Sequence, residues 1–370
     1  MKNLSRRSFL QNLGIGTGAA IVSAALPAFN TVAAKKYDGK KLNIALCGLG
    51  RYASYLAEGL QTAQYCRLAG IITGTPAKAA AWKTKYSIAE KNIYNYQNFD
   101  AIINNSDIDL VYVVLPNSMH KEFTIRAAKA GKHVIVEKPM AITANDCKEM
   151  IEACKNAGVQ LAIGYRLHYE PYHVELKRLG QEKVFGQVRL IEASLGYKAG
   201  DANEWRLNKA LAGGGPLMNL GVYCVQSNRY VLGEEPFSVT AQFGPVTNKK
   251  LFSQVEESIT WQLHFPGGAV CTSTSSYNCS VDRFFAAAEN GFFELSPAIS
   301  YGPFKGRTSK GELNFPTINQ QQTQCDEIAK VLLAGKQLPA HIAGEEGLKD
   351  MKVLQAIYEA AATGKRILIG

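Results

Sequence analysis

The sequence predicts an α/β protein of two domains: a doubly wound parallel sheet, then an α+β domain with a large, open, mostly antiparallel sheet. Between residues 41 and 164, short apolar runs alternate with amphipathic helical patterns, as in a parallel sheet covered by helices. From residue 165 to 370, longer segments of alternating apolar and polar residues favour antiparallel strands. A glycine-rich turn after the first apolar run is the third observation, since such turns open the first helix of many doubly wound sheets.

Each element of the first domain follows from its own pattern. The apolar runs predict five strands, and the segments between them show the helical period. The strands are predicted at 42–46, 68–72, 110–115, 133–136 and 160–163, and the helices at 53–62, 77–86, 120–130 and 144–157.

The second domain is predicted from alternation and from helical patterns near the C-terminus. Strand 258–265 has an apolar residue at every second position, so one of its faces should be buried against a helix. The Ser- and Thr-rich strand 269–277 has a polar face, either exposed to solvent or stacked on a second copy, and we expect a homo-oligomer, a dimer or a tetramer. Further strands are predicted at 187–196, 237–244 and 284–295, and helices at 321–333 and 345–363.

The N-terminus has the pattern of a twin-arginine export signal. Arg6 and Arg7 precede an uncharged apolar stretch at 13–29, which glycines and a proline interrupt. Small residues offer a cleavage site after residue 33 or 34, and no cysteine is present there to carry a lipid. The pattern predicts a signal peptide at 1–34, the twin-arginine export machinery as a partner, a periplasmic location and no stable membrane anchor.

Charge and cysteine usage exclude some classes of function. The signal holds three of the 41 Lys and Arg residues and no acid, so the remaining 336 residues carry 38 basic against 31 acidic groups. The basic residues are scattered singly among carboxylates, so we expect no nucleic-acid partner. The eight cysteines form no CxxC pair and several lie in apolar patterns, which predicts buried free thiols rather than a disulfide framework.

The turn after the first strand matches the dinucleotide-binding fingerprint G-x-G-x-x-G/A. The first glycine permits a tight turn, the second lets the backbone approach a pyrophosphate, and alanine at the last position lets the helix pack on the strand. The strand before the turn and the helix after it are the context that the motif requires. The motif predicts a Rossmann domain whose nucleotide is bound by Gly48, Leu49, Gly50, Arg51, Tyr52 and Ala53.

The second strand favours NADP over NAD as the cofactor. No Asp or Glu occurs between Gly59 and Ala89, where an acid usually holds the adenosine ribose of NAD. The strand is followed instead by Thr73 and Gly74, with Lys78 and Lys83 nearby, so a hydroxyl and lysines are available for a 2′-phosphate. The alternative is NAD, with its ribose held by backbone groups and the two lysines on the surface.

Two further segments follow strands at the edge of the sheet where such domains bind their ligands. The first lies at the carboxyl end of the strand predicted at 110–115. Its residues predicted to contact the cofactor are Leu115, Pro116, Asn117 and His120. Helix capping is the alternative for Asn117.

The second of these segments is Glu137-Lys138-Pro139, at the end of strand 133–136. The proline restricts the lysine to extended backbone geometry. Because this segment lies opposite the nucleotide loop, Glu137 and Lys138 are predicted to be site residues. The alternative is that they are ordinary surface residues.

In the second domain, glycines followed by Pro216 predict the start of a helix. Asn219 and Tyr223 are four residues apart and should share one of its faces. The pattern leaves Tyr223 open between a site residue and a buried tyrosine with a satisfied hydroxyl.

The motifs together resemble those of the Gfo/Idh/MocA oxidoreductases. The resemblance implies a sugar or polyol oxidoreductase with its active site between the two domains. It implies that Lys138 contacts nicotinamide and substrate and that Tyr223 transfers a proton, its pKa lowered by the lysine. The matching segments are GLGRYA, LPNSMH, EKP, GYRLHYEP, EWRL, AGGGPLMNLGVY and the closing EEG…LQAIYEAAATGK.

The same resemblance places Arg166 near the cofactor, and Tyr169, Trp205 and Arg206 near the sugar. Core packing is the alternative for Tyr169 and Trp205. Asn219 is assigned to the catalytic group with Lys138 and Tyr223, but it stands where the family usually has an aspartate and cannot accept a proton. Altered substrate, slower turnover and a binding-only role are the alternatives that this difference opens.

Export constrains the reaction, because the periplasm holds no soluble nicotinamide pool. We therefore expect a retained NADP that passes hydride from one sugar to another. A redox-neutral glycoside hydrolase or epimerase and a nucleotide-loaded sugar-binding protein are the alternatives. No metal site is expected, since His168, Glu170 and His173 do not form the i, i+4 pair of a helical zinc site.

Overall fold

The computed structural model describes residues 39–370. The predicted signal at 1–34 lies outside the described residues. Helices and strands are numbered below in chain order within the described part.

Six strands form the first sheet, in the order β3-β2-β1-β4-β5-β6 with every neighbouring pair parallel. This is the strand order of a dinucleotide-binding Rossmann domain, as predicted. The central strands are almost entirely buried, because helices cover both faces of a parallel sheet. The bounds are Leu42–Cys47 (β1), Cys66–Ile72 (β2), Ile93–Tyr94 (β3), Leu110–Val113 (β4), His133–Val136 (β5) and Leu161–Ile163 (β6).

Four helices accompany these strands, each within two residues of its predicted bounds. A proline in the first turn of α2 and a hydrogen bond from Asp146 N to the hydroxyl of Thr143, at the start of α4, fix two of the N-termini. The bounds are Arg51–Thr62 (α1), Pro76–Tyr86 (α2), His120–Lys129 (α3) and Ala144–Asn156 (α4).

Nine strands form the second sheet, in the order β14-β13-β12-β11-β7-β10-β9-β8-β15. Only β7 and β10 are parallel neighbours, which confirms a mostly antiparallel sheet. The bounds are Val188–Gly196 (β7), Ser238–Phe243 (β8), Ser258–His264 (β9), Val270–Ser276 (β10), Val281–Ala288 (β11), Gly291–Leu295 (β12), Gly306–Thr308 (β13), Gly311–Leu313 (β14) and Ile367–Leu368 (β15).

Three of the remaining helices, α5, α7 and α9, pack on this sheet. Ile259, Trp261 and Leu263 of β9 are buried, whereas Thr260 between them is exposed, so the predicted two-faced strand is confirmed. The helix bounds are Pro171–Gln181 (α5), Lys209–Ala212 (α6), Val222–Leu232 (α7), Gln320–Leu333 (α8) and Gly344–Thr363 (α9).

One strand prediction is wrong, and several elements were not predicted: helices α5 and α6 and the short strands β3, β13, β14 and β15. The single strand expected at 284–295 is a hairpin of β11 and β12, and Glu289 and Asn290 form its two-residue turn. The Asn-Gly sequence that ends this turn is a hairpin signal, which the continuous apolar alternation obscured. Helix α5 was not predicted, although it begins with the favourable sequence of Glu170 as the capping residue and Pro171 in the first turn.

The C-terminal part of the chain returns to the first domain. Helix α8 packs on α1, and Asp326 of α8 accepts hydrogen bonds from the backbone N–H groups of Gln64 at 3.0 Å and Tyr65 at 2.7 Å. Cys325 and Ile342 lie in the same apolar core as β1. The predicted boundary after residue 164 therefore marks the change of sheet, while residues 320–342 pack with the Rossmann domain.

All eight cysteines are free thiols and only Cys279 is exposed, as predicted. Within residues 39–370, no helix combines the length and apolar character needed to cross a membrane. The same residues contain no group of three or more His, Cys, Asp or Glu side chains placed to hold a metal ion.

Candidate active site

The turn between β1 and α1 has the geometry of a pyrophosphate-binding loop. Gly48 has a φ of +98°, and a Cβ there would lie 2.5 Å from the backbone oxygen of Val114, so glycine is required. A Cβ on Gly50 would meet no atom within 4 Å, which leaves the backbone open to a ligand. No side chain caps α1 and no acid lies in its first turn, so its N-terminus suits an anion. Of the other motif residues, Leu49 and Ala53 are buried and Arg51 is exposed.

The residues after β2 border this loop. Lys78 is exposed, and its Nζ donates to the carbonyl of Leu49 at 3.3 Å, so its cation lies beside the nucleotide loop. Thr73 is buried and its hydroxyl accepts from the backbone N–H of Thr75 at 3.2 Å. Gly74 packs closely on the ring of Tyr96. Lys78 is therefore the residue after β2 whose positive charge can contact a ligand bound at the nucleotide loop.

The residues after β4 hold the neighbouring strand ends together through hydrogen bonds. Nε2 of His120 lies 2.8 Å from the carbonyl of Leu115, and Nδ1 lies 3.0 Å from that of Pro139. Burial lowers the pKa of this histidine. Buried Asn117 follows the half-buried Pro116, and its Nδ2 donates at 2.9 Å to a backbone carbonyl of the second domain. The side chains of His120 and Asn117 thus fasten the ends of β4 and β5 in place.

Glu137 and Lys138, after β5, have different partners. Glu137 is buried, accepts a hydrogen bond from the hydroxyl of Tyr112 at 2.6 Å, and has a pKa raised by burial. A Cβ at Gly164 would lie 2.4 Å from its carboxylate, so glycine makes room for it. Lys138 is half-buried, and its Nζ donates to the backbone carbonyl of Asn219 at 2.9 Å. The lysine therefore joins the two domains.

The segment that carries Asn219 and Tyr223 is helical from Pro216, as predicted, but starts with a π turn, Leu217–Gly221. The carboxylate of Glu256 accepts hydrogen bonds from two backbone N–H groups at this start, at 2.9 and 3.1 Å. A π turn holds one more residue than an α turn. The side chains of Asn219 and Tyr223 meet different partners.

Tyr223 lies between two cations. Nζ of Lys138 is 4.1 Å from its ring centroid, and Cζ of Arg166 is 5.2 Å away. Burial raises the pKa of Tyr223, but Arg166 and Lys138 outweigh burial, so the pKa lies below its ordinary value of about 10. The pKa of Lys138 is also lowered, and in its case burial is the cause. The arrangement suits a tyrosine that exchanges a proton with a substrate hydroxyl.

The side chain of Asn219 contacts Arg206. Nε of Arg206 donates to Oδ1 of Asn219 at 3.3 Å, and Nη1 pairs with Glu204 at 2.8 Å. The guanidinium lies 4.6 Å from the ring of Trp205. Asn219 therefore reaches Lys138 through its backbone carbonyl and Arg206 through its amide, so a different side chain at 219 would act first on Arg206.

The structure does not bring Tyr169 into this group. Its ring packs in the core around β1 and α8, and its hydroxyl is buried without a hydrogen-bond partner. Burial raises its pKa. These contacts favour the core-packing alternative for Tyr169, whereas Trp205 stays beside Arg206.

Unpartnered polar atoms collect near Tyr223. The hydroxyl of Tyr52 and Nε of Arg166 are buried without a hydrogen-bond partner. Tyr52 is close enough to Tyr223 and Arg166 for their charges to act on its pKa, which burial raises. Buried polar groups without partners are costly, and around a nucleotide loop they point to a ligand.

Sequence reasoning missed Tyr301 and Gln320. The ring of Tyr301 lies 4.6 Å from Cζ of Arg166 and 5.3 Å from the ring of Tyr55 on α1, and Gln320 accepts a hydrogen bond from Arg166. Tyr301 is 54% exposed, so it borders the mouth of the site. An aromatic residue between Ser-Pro and Gly-Pro was the available signal, since such turns mark an ordered loop.

The residues present fit a nicotinamide dinucleotide. The turn from Gly48 to Ala53 would hold the pyrophosphate, while Lys138 and Tyr223 would face the reacting end. A bound nicotinamide supplies the hydride acceptor and donor, and the side chains supply orientation and proton transfer. The fold and the site therefore define a nicotinamide-dependent oxidoreductase.

Family comparisons agree with this class. The model described as "Oxidoreductase family, NAD-binding Rossmann fold" matches residues 42–165, and the "GFO/IDH/MocA C-terminal domain" matches residues 173–294. The chain belongs to the Gfo/Idh/MocA oxidoreductase family, as its motifs predicted.

Three known proteins illustrate the similarity. The structure of an aldose-aldose oxidoreductase from Caulobacter crescentus, complexed with glycerol, is 40% identical with a TM-score of 0.86, and the match covers 89% of this chain and 100% of that one. D-xylose 1-dehydrogenase [NADP(+)] of Haloarcula marismortui is 26% identical over 87% of this chain and 91% of its own. A 1,5-anhydro-D-fructose reductase of Ensifer adhaerens is 26% identical over 78% and 86%.

Proposed function

We propose that the protein is an exported sugar oxidoreductase that retains NADP, oxidises a hydroxyl of one sugar and reduces the carbonyl of a second. The observation that carries the proposal is the Tyr223 phenol between Lys138 and Arg166, beside the nucleotide loop. Similarity to an aldose-aldose oxidoreductase supports the use of two sugars. Similarity to an NADP-dependent xylose dehydrogenase supports a sugar hydroxyl as the reacting group and NADP as the cofactor.

Proton transfer follows from the geometry. In the oxidative half-reaction, Tyr223 as phenolate accepts the proton of the sugar hydroxyl, and the charges of Arg166 and Lys138 stabilise the phenolate beforehand. In the reductive half-reaction, the neutral phenol returns that proton to the oxygen of the second sugar's carbonyl. One proton and one hydride enter and leave in each cycle, so no outside donor is required.

The ultraviolet spectrum of the purified, undialysed protein tests the proposal. We expect bound nucleotide, identified by mass as NADP, whose reduced-form absorbance appears on adding glucose and disappears on adding a second sugar. Fructose and a second aldose, tested separately as acceptors, distinguish a glucose–fructose reaction from an aldose–aldose reaction. If nucleotide is present but no free sugar reduces it, the two-sugar reaction is wrong.

The same preparation decides between the alternatives. Release of an aglycone from a glycoside without a net change in cofactor would show a redox-neutral hydrolase, and interconversion of sugar epimers would show an epimerase. Sugar binding with no change in nicotinamide absorbance in any assay would show a binding protein.

The NADP preference depends on Lys78, which lies beside the nucleotide loop. We expect Lys78→Ala to weaken NADP retention more than NAD retention, because only NADP carries the 2′-phosphate. Lys83→Ala is a control, because Lys83 already pairs with Glu90. Equal loss of both nucleotides in Lys78→Ala would remove this support for NADP.

Export depends on the predicted signal at 1–34. Replacement of Arg6 and Arg7 by lysine should leave the full-length protein in the cytoplasm, whereas the parent chain should appear in the periplasm with its N-terminus after residue 33 or 34. Periplasmic recovery of the variant would contradict the twin-arginine route.

A further inference from the structure

One carboxylate binds three successive backbone groups of the loop 296–304, which lies between β12 and β13. Asp282 of β11 accepts hydrogen bonds from three consecutive backbone N–H groups, those of Ala298 at 2.8 Å, Ile299 at 2.7 Å and Ser300 at 2.9 Å. Hydrogen bonds to an ionised acceptor are the strong ones, and three together fix the orientation of successive peptide groups. The loop is therefore tied to β11 at three successive residues.

A buried histidine holds the same loop from the other side. Nε2 of His173 lies 2.7 Å from the carbonyl of Ala298, and Nδ1 lies 2.9 Å from the carboxylate of Glu170. Both His173 and Glu170 are buried. Two independent ties thus meet at Ala298, next to the residues that face the active site.

The fastened loop presents its carbonyls to Arg166. Nη1 of Arg166 donates to the carbonyl of Ser300 at 3.3 Å and to the side-chain oxygen of Gln320, and Nη2 donates to the carbonyl of Ile299. All these acceptors are neutral, and among the described residues no carboxylate forms a salt bridge with Arg166. The guanidinium is thereby oriented while its charge stays uncompensated, 5.2 Å from the ring of Tyr223.

We propose that Asp282 is a positioning residue: by ordering loop 296–304 it holds Arg166 as an uncompensated cation against Tyr223, and so controls how readily Tyr223 gives up its proton. The importance of that control for turnover rests on the proposed function, in which Tyr223 transfers the proton. The placement itself rests on the hydrogen bonds from Asp282 through the loop to Arg166.

The groups that face Tyr223 show why the position of Arg166 matters. Lys138 and Glu137 approach from the end of β5, Tyr52 from α1 and Tyr301 from the loop. Burial and Glu137 raise the pKa of Tyr223, whereas Arg166 and then Lys138 lower it. Without an oriented Arg166, the charge of Lys138 alone would have to offset the rise that burial causes in the pKa of Tyr223.

The test is a phenolate titration that needs no turnover. Ultraviolet absorbance is followed against pH for the whole protein and for the same protein carrying Tyr223→Phe, and the difference isolates Tyr223. We expect a midpoint below about 10 in the parent chain and a midpoint about one unit higher, a tenfold weaker acid, in Asp282→Ala. Asp282→Asn should give an intermediate midpoint, since its amide oxygen accepts from Ala298 and Ile299 but its amide nitrogen cannot accept from Ser300.

Asp326→Asn is the matched control. Asp326 also accepts two backbone N–H bonds, but it joins α8 to the start of β2. Its loss should lower the thermal midpoint and leave the Tyr223 titration in place, which is what a merely structural role would produce.

An unshifted Tyr223 midpoint in folded Asp282→Ala would overturn the proposal. If that variant does not fold, Asp282→Asn decides, and an unshifted midpoint there overturns it equally. A shifted midpoint in a protein that oxidises no sugar would refute the proposed function and leave the positioning role intact. Sugar oxidation with an unshifted midpoint would refute the positioning role alone.

Discussion

Two buried arginines in this protein lie in opposite electrostatic surroundings. Arg229 of α7 forms salt bridges with three carboxylates, those of Asp350, Glu346 and Glu235. Arg166 donates only to neutral oxygens and lies against aromatic rings. The charge of Arg229 is neutralised by carboxylates, and its ion pairs join helices. The charge of Arg166 is not neutralised in this way and remains available to act on a ligand. The difference separates a charge that holds the fold from a charge that can act on a substrate.

Two tyrosines report the same difference. The hydroxyl of Tyr165 donates to Asp350 at 2.6 Å, and burial together with that carboxylate raises its pKa. Tyr223, beside Arg166 and Lys138, has a lowered pKa despite burial. We therefore expect changes in the Arg229 cluster to appear in stability and changes around Tyr223 to appear in activity.

The largest expected effect is the loss of the Tyr223 hydroxyl. Tyr223→Phe keeps the ring and removes the proton-transferring group, so kcat/KM for sugar oxidation should fall by roughly 10²–10⁴-fold with little change in thermal midpoint. The matched control is Tyr165→Phe, which removes a hydroxyl from the other cluster and should lower the thermal midpoint while sparing activity. Retained oxidation in Tyr223→Phe would assign proton transfer to another group.

The next effect is on stability. Arg229→Met keeps the apolar length of the side chain but leaves buried Asp350 without its cation, while Glu235 and Glu346 still pair with Lys349. The loss should cost about 3–5 kcal/mol of the free energy of unfolding. Urea unfolding of the parent and the variant measures it, with kcat/KM expected to stay within a few-fold wherever the variant is folded. Arg166→Met is the comparison and should reverse the pattern, with the larger loss in kcat/KM. If both substitutions affect stability alone, the distinction between the two arginines fails.

A smaller effect is the pH dependence of stability from Asp350. Burial raises the pKa of Asp350 to about 7, and the attraction of Arg229 lowers it only in part. The folded carboxyl then keeps its proton at pH values where the unfolded one, with a pKa near 3.9, has lost it. Its contribution to stability is full below about pH 4 and is lost as the pH rises through about 7.

Asp350→Asn isolates this contribution. The thermal midpoint of the parent relative to the variant should fall between about pH 4 and 7 and then stay level. Glu256→Gln removes a half-buried carboxyl that accepts hydrogen bonds at the start of the π turn, and it shows how far other acids contribute to the overall profile. A difference between the parent and Asp350→Asn that does not change with pH would show that Asp350 is ionised throughout this range.

Local pattern was enough to predict most of the first domain. Strands buried on both faces appear in the sequence as continuous apolar runs, and the helices between them repeat apolar residues with the helical period. The strands and α-helices from β1 to β6 were therefore predicted to within two residues, apart from the two-residue β3. Lys138 could be placed because a parallel sheet brings the ends of its strands to one edge. Tyr223 needed the family resemblance, since its sequence pattern also fitted a buried tyrosine.

Contacts between distant segments were beyond such reasoning. Asp282 and Tyr301 matter because loop 296–304 folds back onto Arg166, and no local period encodes that return. Tyr52 and Tyr169 both occur in family motifs, yet only Tyr52 lies beside Tyr223. Which side of a helix or turn each ring takes depends on packing between the domains, which a single sequence does not show.

The smallest expected effect concerns Asn219, which stands where the family usually has an aspartate. Its backbone carbonyl, not its side chain, receives the hydrogen bond from Lys138, and its amide oxygen meets Arg206 at 3.3 Å. Asn219→Asp leaves the carbonyl unchanged and places a carboxylate beside an arginine already paired with Glu204. We expect kcat/KM to change by less than about tenfold, mainly through KM, because a half-exposed ion pair is worth roughly 0–1 kcal/mol.

Arg206→Lys sharpens this last prediction. If the residue at 219 acts through Arg206, the effect of Asn219→Asp on KM should shrink in the Arg206→Lys background, which a double-mutant cycle measures. A rise in kcat of a hundredfold or more in Asn219→Asp would instead mean that a carboxylate at 219 takes part in proton transfer.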